Sequence, residues 1–423
     1  QPISPQQCWR KSKIMKVLYV TAACLTKNTS ANMSHNGYVQ GLLENDADLD
    51  IIMASDSWGE ADNKLKRWEG VRYFDYESVS VADKLRDRIK KFIPSPPIAP
   101  AVTSTPAQPE SQNNAKSRFS IRSLAKKVFY TIFKPDPVYP LNATWLKNAS
   151  KFVSNVEYDL VVSNSSPSAS HKLVGILAEN GQISFKRWVQ IWEDPWYHDL
   201  YGGHSEQIKQ EEHNLLRKGQ EIYYVSPLTT HYQKKFFADC ADKMNSIPLP
   251  FLAFGEDKGG IDSEISFGYF GDYYSHTRNL QPFYDAIRTT KSKCYIYGDS
   301  DLNLISQNKI VVSGRVTLDK LEKVQNQTSI LVHLCNLRGG QIPGKIYHYS
   351  ATTKPILFIL DGTDEEKQII KEFFAKYNRY YFCDNNQQDI ERAITDLIQN
   401  YDQNRGHIVE EFCPKKVVAQ LFQ

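Results

Sequence analysis

Short apolar runs and helix-forming stretches alternate along this chain, stop at a Pro/Gly-rich join, and then begin again. KVLYVTA (16–22), DLDIIMAS (48–55), YDLVVSNSS (158–166), RWVQIWED (187–194) and EIYYVSP (221–227) read as strands. They are apolar along their length, as strands covered on both faces are. GYVQGLLEN, PSASHKLVGILAENG and HYQKKFF read as helices between them, the second ended by glycine. The join is NSIPLPFLAFGEDKGG (245–260). A second series follows: ISFGYFGD (265–272), CYIYGDSD (294–301), KIVVSG (309–314), SILVHL (329–334) and PILFIL (355–360) as strands, with NLQPFYDAIRTT, VTLDKLEKVQNQT, GKIYHYSATT and DEEKQIIKEFFAKY as helices. Strand–helix alternation builds a doubly wound parallel sheet. Two series predict an α/β chain with two Rossmann-like domains, 15–245 and 260–400, facing across a cleft. Ligands in such sheets bind beyond the carboxyl ends of the strands.

Composition narrows the function. A net charge of +3 over 423 residues excludes general polyanion binding and a nucleic-acid partner. Seven scattered cysteines without a CxxC point to a reducing compartment and away from a zinc ribbon. No apolar run reaches the roughly 18 residues of a membrane span. MKVLYVTAACLT (15–26) imitates a short secretory signal, but polar sequence follows at once, and a buried first strand is the expectation. One stretch departs from the alternation. The Pro/Ser/Gln-rich segment 94–115 reads as a disordered loop. Basic segments flank it, and Ile121, Leu124, Val128 and Ile132 fall on one helical face. Residues 83–134 are therefore either a contact with an anionic membrane surface or an ordinary core-facing helix.

The stretch most telling for function is GGQIPGKIYHYSATTKPILFI (339–359). Gly339, Gly340 and Gly344 let a phosphate approach the backbone, and Lys345 adds a cation at a helix start. His348, one turn on, is placed for a ribose hydroxyl. Arg278 follows the turn at Gly271, and an arginine fork suits phosphate oxygens. Backbone around Arg315 and Val316 is expected to read a base edge. Three strand-end loops thus supply phosphate, ribose and base contacts. In the first series Asn32, His35 and Asn36 follow strand one, Ser165 and Ser166 follow a later strand, and WEDPWYHD (192–199) brings Asp194 and His198. Small polar side chains suit a sugar acceptor. Asp194 is the first candidate at the acceptor hydroxyl, with His198 and His35 next. GDSD (298–301) reads as a strand-end turn, so neither metal nor cofactor is expected.

Together these residues resemble a GT-B fold glycosyltransferase, most like the retaining family 4 type (GT4), over about residue 15 to the end. PGKIYHYSATTKP (343–355) is similar to that family's P-x-K-x-x-E-Y-x-A-x-x-K-P run, and Gly314, Arg315 and Val316 to its base-contacting turn. KPDPVYPLNATWLKNA (134–149) resembles a segment of bacterial surface-polysaccharide members. The resemblance implies transfer of a sugar, with retention, from a nucleotide-diphosphate sugar to a glycan, lipid-linked or protein acceptor. It implies a cytoplasmic bacterial enzyme, peripheral at the inner membrane face. It also implies that 401–423, with CPKKVVAQLF, crosses back onto the first domain. The family's two glutamates would fall on Gly340 and His348, and both are absent. That absence is what a non-catalytic nucleotide- or carbohydrate-binding scaffold predicts; a nucleotide-sugar 2-epimerase, which shares the architecture but would keep those glutamates, is the other alternative.

Overall fold

A computed structural model of the chain describes residues 14–55, 60–61, 65, 67–79, 136–200, 205–252 and 264–423. Segment 83–134, with its Pro-rich loop, lies outside the described residues.

The first sheet contains β1 (Lys16–Val20), β2 (Asp48–Ala54), β3 (Arg72–Tyr76), β4 (Glu157–Ser165), β5 (Ser184–Trp192), β6 (Glu221–Tyr224) and β7 (Met244–Ser246). Its order is β3-β2-β1-β4-β5-β6-β7, all parallel. The second contains β8 (Ser266–Phe270), β9 (Lys293–Tyr297), β10 (Ile310–Ser313), β11 (Ile330–Leu334), β12 (Ile356–Leu360) and β13 (Tyr380–Asp384). Its order is β10-β9-β8-β11-β12-β13, again parallel. In each sheet the first strand is central, and the order reverses beside it, between β1 and β4 and between β8 and β11. Such a switch opens a crevice for ligand. The central strands carry the apolar runs read from sequence. Val17 to Val20 and Phe267 to Phe270 are buried, because helices cover both faces.

The helices of the first lobe are α1 (Ser30–Glu44), α2 (Ala143–Ala149), α3 (Ala169–Glu179), α4 (Glu206–Lys218) and α5 (Pro227–Phe236). Those of the second are α6 (Gln281–Thr290), α7 (Leu318–Gln327), α8 (Lys345–Tyr349), α9 (Asp364–Ala375) and α10 (Gln387–Gln399). The short α11 (Pro414–Ala419) lies on α1. A Cβ at Gly41 would come within 2.2 Å of the Pro414 carbonyl oxygen, so only glycine allows this contact. Asn45 Nδ2 adds a hydrogen bond to the Lys415 carbonyl at 2.9 Å. The chain therefore ends against the lobe where it began.

Helix α1 starts earlier than the sequence predicts. Thr29 caps it by accepting from the Asn32 amide, so residues 30–36, read as loop, form its first two turns. The lysine of the motif's closing Lys-Pro proves structural. Lys354 Nζ donates to the carbonyls of Gln325, Asn326 and Thr328 and so closes the end of α7. Among the described residues no helix is long and apolar enough to cross a membrane.

Candidate active site

The connections that leave the carboxyl ends of β8, β9, β10 and β11 bring three cations to one carboxylate. Gly298 passes so close to Gly271 that a Cβ there would lie 1.9 Å from the Gly271 carbonyl oxygen. This close approach aligns the two strand-end loops. The Asp272 carboxylate accepts from the Asp299 amide at 3.0 Å and from both Nε and Nη2 of Arg315. Arg278 Nη1 donates to the Asp272 carbonyl at 3.0 Å. The Lys345 stem passes the same turn, 3.8 Å from where a Gly271 Cβ would stand. Burial lowers the Lys345 ammonium to about 8; Asp272 opposes that shift, and Arg278 and Arg315 add to it. Mutual repulsion of this kind requires the heads to share a small space. Arg278 and Lys345, read from separate loops, both lie at the Gly271–Asp272 turn. His348 is half-buried beside them and held neutral, its imidazole lowered to about 4 by burial and by Lys345.

Two expectations on this side need correction. The Arg315 amide, expected to read a base edge, is taken by the Asp299 carboxylate at 3.2 Å, and Val316 packs against the core. It is the Arg315 side chain that joins the cation group. Gly339 and Gly340 do not turn toward that group. Their φ values of 104° and 73° let the loop lie on the first lobe, where Cβ atoms would stand 2.9 Å from Leu200 Cδ1 and 2.7 Å from Tyr232 Cδ2. Thr229 Oγ1 donates to the Gly340 carbonyl at 2.7 Å. A Cβ at Gly344 would stand 3.0 Å from Leu249 Cδ1. The glycine bend is thus part of the gap between the lobes and joins them.

Gln341, within that bend, bridges to the acceptor side. Its Nε2 donates to Asp194 Oδ1 at 2.5 Å and to Asp199 Oδ1 at 3.3 Å, while its Oε1 accepts from the Leu200 amide. Asp194 is exposed to solvent. Desolvation by the protein crowded round its carboxyl pushes it up to about 6, against the Gln341 bond and with repulsion from Asp199. Its neighbour Glu193 is raised well above the usual carboxylate range, first by burial and then by Asp194. A continuous path links the two sides. Arg278 Nε and Nη2 donate to Asn336 Oδ1, Asn336 Nδ2 donates to the Gln341 carbonyl, and Gln341 reaches Asp194.

Most of the other first-lobe candidates are tied into the scaffold. His35 is 0% exposed. Tyr19 donates its hydroxyl to His35 Nδ1 at 2.8 Å, Asn164 Nδ2 donates to Tyr19, and His35 Nε2 donates to the Ser166 carbonyl at 3.2 Å. Burial lowers this imidazole to about 4, so it stays neutral and cannot touch an acceptor. Asn32 and Asn36 give their amides to the carbonyls of Cys24, Lys27, Leu25 and Asn32, bracing the turn before α1. Ser165 is buried against the Ile191 carbonyl, whereas Ser166 is exposed at the strand end. His198 stacks on Phe236 with ring centres 3.5 Å apart and lies edge-on to Tyr197. Its loop is fixed from below, where Glu212 accepts from the Trp196 and Tyr197 amides.

Sequence reasoning missed Gln341, Asn336 and Asp272 as site residues. Gln341 and Asp272 each sit next to a glycine that was singled out, which was the available signal. The role of Asn336 depends on Arg278, 58 residues away, and had none.

No protein-family model and no curated protein sequence matches the chain. Solved structures do. HepE from Anabaena, in complex with UDP-glucose, superposes with a TM-score of 0.55 at 11% identity over 96% of this chain and 98% of that one. The fold is GT-B. TarM from S. aureus, a mutant form in complex with Fondaparinux, alpha-GlcNAc-glycerol and UDP, gives 0.56 at 9% identity, over 97% and 99%. A glycosyltransferase from Rickettsia africae gives 0.52 at 13%, over 97% of each chain. At these identities the likeness is one of fold.

Proposed function

We propose that this chain is a glycosyltransferase that moves a sugar from a nucleoside-diphosphate sugar to an acceptor hydroxyl on a glycan, lipid-linked or protein-borne substrate. The observation that carries the reading is the meeting of Arg278, Arg315 and Lys345 at the switch point of the second sheet, joined through Asn336 and Gln341 to Asp194 of the first. Breaking a glycosidic bond to a diphosphate leaves negative charge on the departing oxygens. Cations fixed before the reaction stabilise that charge without reorganisation. Positive charge develops at the anomeric carbon. Asp194, held near 6, is ionised at neutral pH and placed at the lobe junction to orient the acceptor hydroxyl and take its proton. UDP-glucose in the HepE complex and UDP in the TarM complex support the donor class.

The finer reading follows the GT4 resemblance: transfer with retention, domain limits near 245 and 260, and a bacterial enzyme held at the inner membrane face through 83–134. His348 takes the place at which the family holds a ribose. The deciding experiment incubates the chain with a panel of nucleoside-diphosphate sugars and sugar acceptors and measures released nucleoside diphosphate. Acceptor-dependent release supports the transferase. Tight nucleotide binding with no turnover on any acceptor would instead mean a binding scaffold. Liposome binding unchanged by deletion of 83–134 would remove the membrane part.

A further inference from the structure

The cation group already contains an anion of its own. Asp272 lies at its centre and is contacted on several sides: by the Arg315 guanidinium through two bonds, by the Asp299 amide, and through its carbonyl by Arg278. Lys345 is the other cation beside it, and Asp272 is the charge that keeps its ammonium from falling further. Arg315 also pairs with Asp299 at 3.3 Å. The two partners of the main ion pair are unequally free to move. The Arg315 side chain is 70% exposed, whereas that of Asp272 is 27% exposed. Asp272 is tied to the strand-end loops, and Arg315 can leave it without disturbing packing.

We infer that Asp272 is a specificity-determining counter-ion of the donor pocket, holding Arg315 in a parked position that only a ligand with several negative charges takes over. Without Asp272, three cations would face one another across a small volume, a costly arrangement in the absence of a ligand. With it, the group stays net positive but offers one arginine only to an anion that outcompetes a carboxylate. A diphosphate, carrying more charge and more acceptor oxygens, does so. A sugar monophosphate or a carboxylate metabolite competes less well. The same residue that steadies the pocket thus lowers its affinity for every anion and sets the charge a donor must carry.

This inference rests on the donor reading of the pocket, and inorganic pyrophosphate separates the two. Calorimetry compares pyrophosphate and UDP binding to the full chain and to its Asp272→Asn variant at neutral pH. Removing the competing charge should tighten both ligands about tenfold, the scale of one close, partly screened charge. The unliganded variant should melt at a lower temperature, with ligand restoring more of the loss than in the parent. Unchanged or weaker pyrophosphate binding by Asp272→Asn overturns the counter-ion role and leaves the transferase reading intact. A parent chain that binds neither pyrophosphate nor any nucleoside diphosphate overturns both. Should Asp272→Asn fail to fold, Arg315→Gln asks the same question from the exposed partner. Pyrophosphate affinity about tenfold weaker supports the hand-over of Arg315, and an unchanged affinity overturns it.

Discussion

The two lobes share one topology and treat their polar groups in opposite ways. In the first lobe, the polar centre behind β1 and β4 is sealed. His35, His171, Tyr19 and Asn164 are 0% exposed; Tyr19 links His35 to Asn164, and His171 Nδ1 bonds the buried Ser163 hydroxyl. Both histidines are neutral, His35 lowered to about 4 and His171 to about 3 by burial. In the second lobe, the polar centre at the end of β8 is open and charged, with Arg278, Arg315 and Lys345 around Asp272. A sealed neutral network fixes a fold, because each of its members is costly to leave unpaired. An open cluster of like charge is a poor structural element and a good anion site. The same position in two similar sheets is a sealed network in one lobe and an open charged cluster, proposed above to bind the donor, in the other. Asp194 is the exception in the first lobe, and it is the residue that the second lobe reaches for through Gln341.

The largest test of this contrast is Lys345→Ala. Its loss should lower kcat/KM by about a thousandfold if the ammonium stabilises a leaving diphosphate. The thermal midpoint should hold or rise, since a half-buried cation repelled by two arginines is removed. A collapse of the fold with no separate kinetic effect would place the cluster on the scaffold side and break the comparison. Asp194→Asn comes next. It should reduce kcat by about a hundredfold, the usual scale of a displaced proton acceptor. In the parent enzyme activity should rise with pH through about 6, as the Asp194 carboxyl ionises. That limb should vanish in the variant. A limb that persists after Asp194 is gone assigns it to another group.

His35→Phe tests the sealed side. Tyr19 loses its acceptor, and stability should drop by about 2 kcal/mol, measured by denaturant unfolding. Diphosphate affinity should not change. The pH signature follows from the depressed imidazole. Unfolding frees His35 to bind a proton below its ordinary 6.5, whereas the native group holds none until about 4. Its contribution is therefore complete above 6.5 and is lost as pH falls toward 4. The parent should lose up to about 1.4 kcal/mol per pH unit for each such histidine over this window. The variant's slope should be shallower by one histidine. An equal slope would mean that His35 is not sealed.

How much of this was legible beforehand differs between the lobes for the same reason. Buried parallel strands announce themselves by unbroken apolar runs, so KVLYV and SFGYF marked both sheet centres. Edge strands do not. RYFDY in β3 and YYFCD in β13 carry mixed residues because one side meets solvent or a single neighbour. Arg278 and Lys345 stood out because glycine turns precede them at strand ends, whereas the Arg315 side chain did not, since only its backbone was expected to matter. The burial of Asn32, His35 and Asn36 was not. Asn and Ser suggest a loop, and only the Thr29 cap shows that the helix has already begun. Gln341 had only its glycine neighbour as a signal, since its partners Asp194 and Leu200 belong to a lobe more than a hundred residues earlier.

The smallest expected effect is the most specific to the open cluster. With its ammonium lowered to about 8, Lys345 is partly deprotonated in mildly alkaline solution. An incoming diphosphate favours the protonated form and raises its pKa, so binding takes up a proton. Affinity is thus highest below about 8 and falls as pH rises, by at most tenfold per unit. Calorimetry with UDP from pH 7 to about 9.5, repeated in buffers of different ionisation enthalpy, reads both the fall and the proton. The Lys345 slope is read between about pH 7.5 and 8.5, above the last phosphate ionisation and below that of the uracil N–H. Lys345→Met should bind more weakly at pH 7 and show a flat profile, while His35→Phe should keep the parental slope. A sloping profile in Lys345→Met would assign the proton to another group and put Lys345 outside the shared cluster.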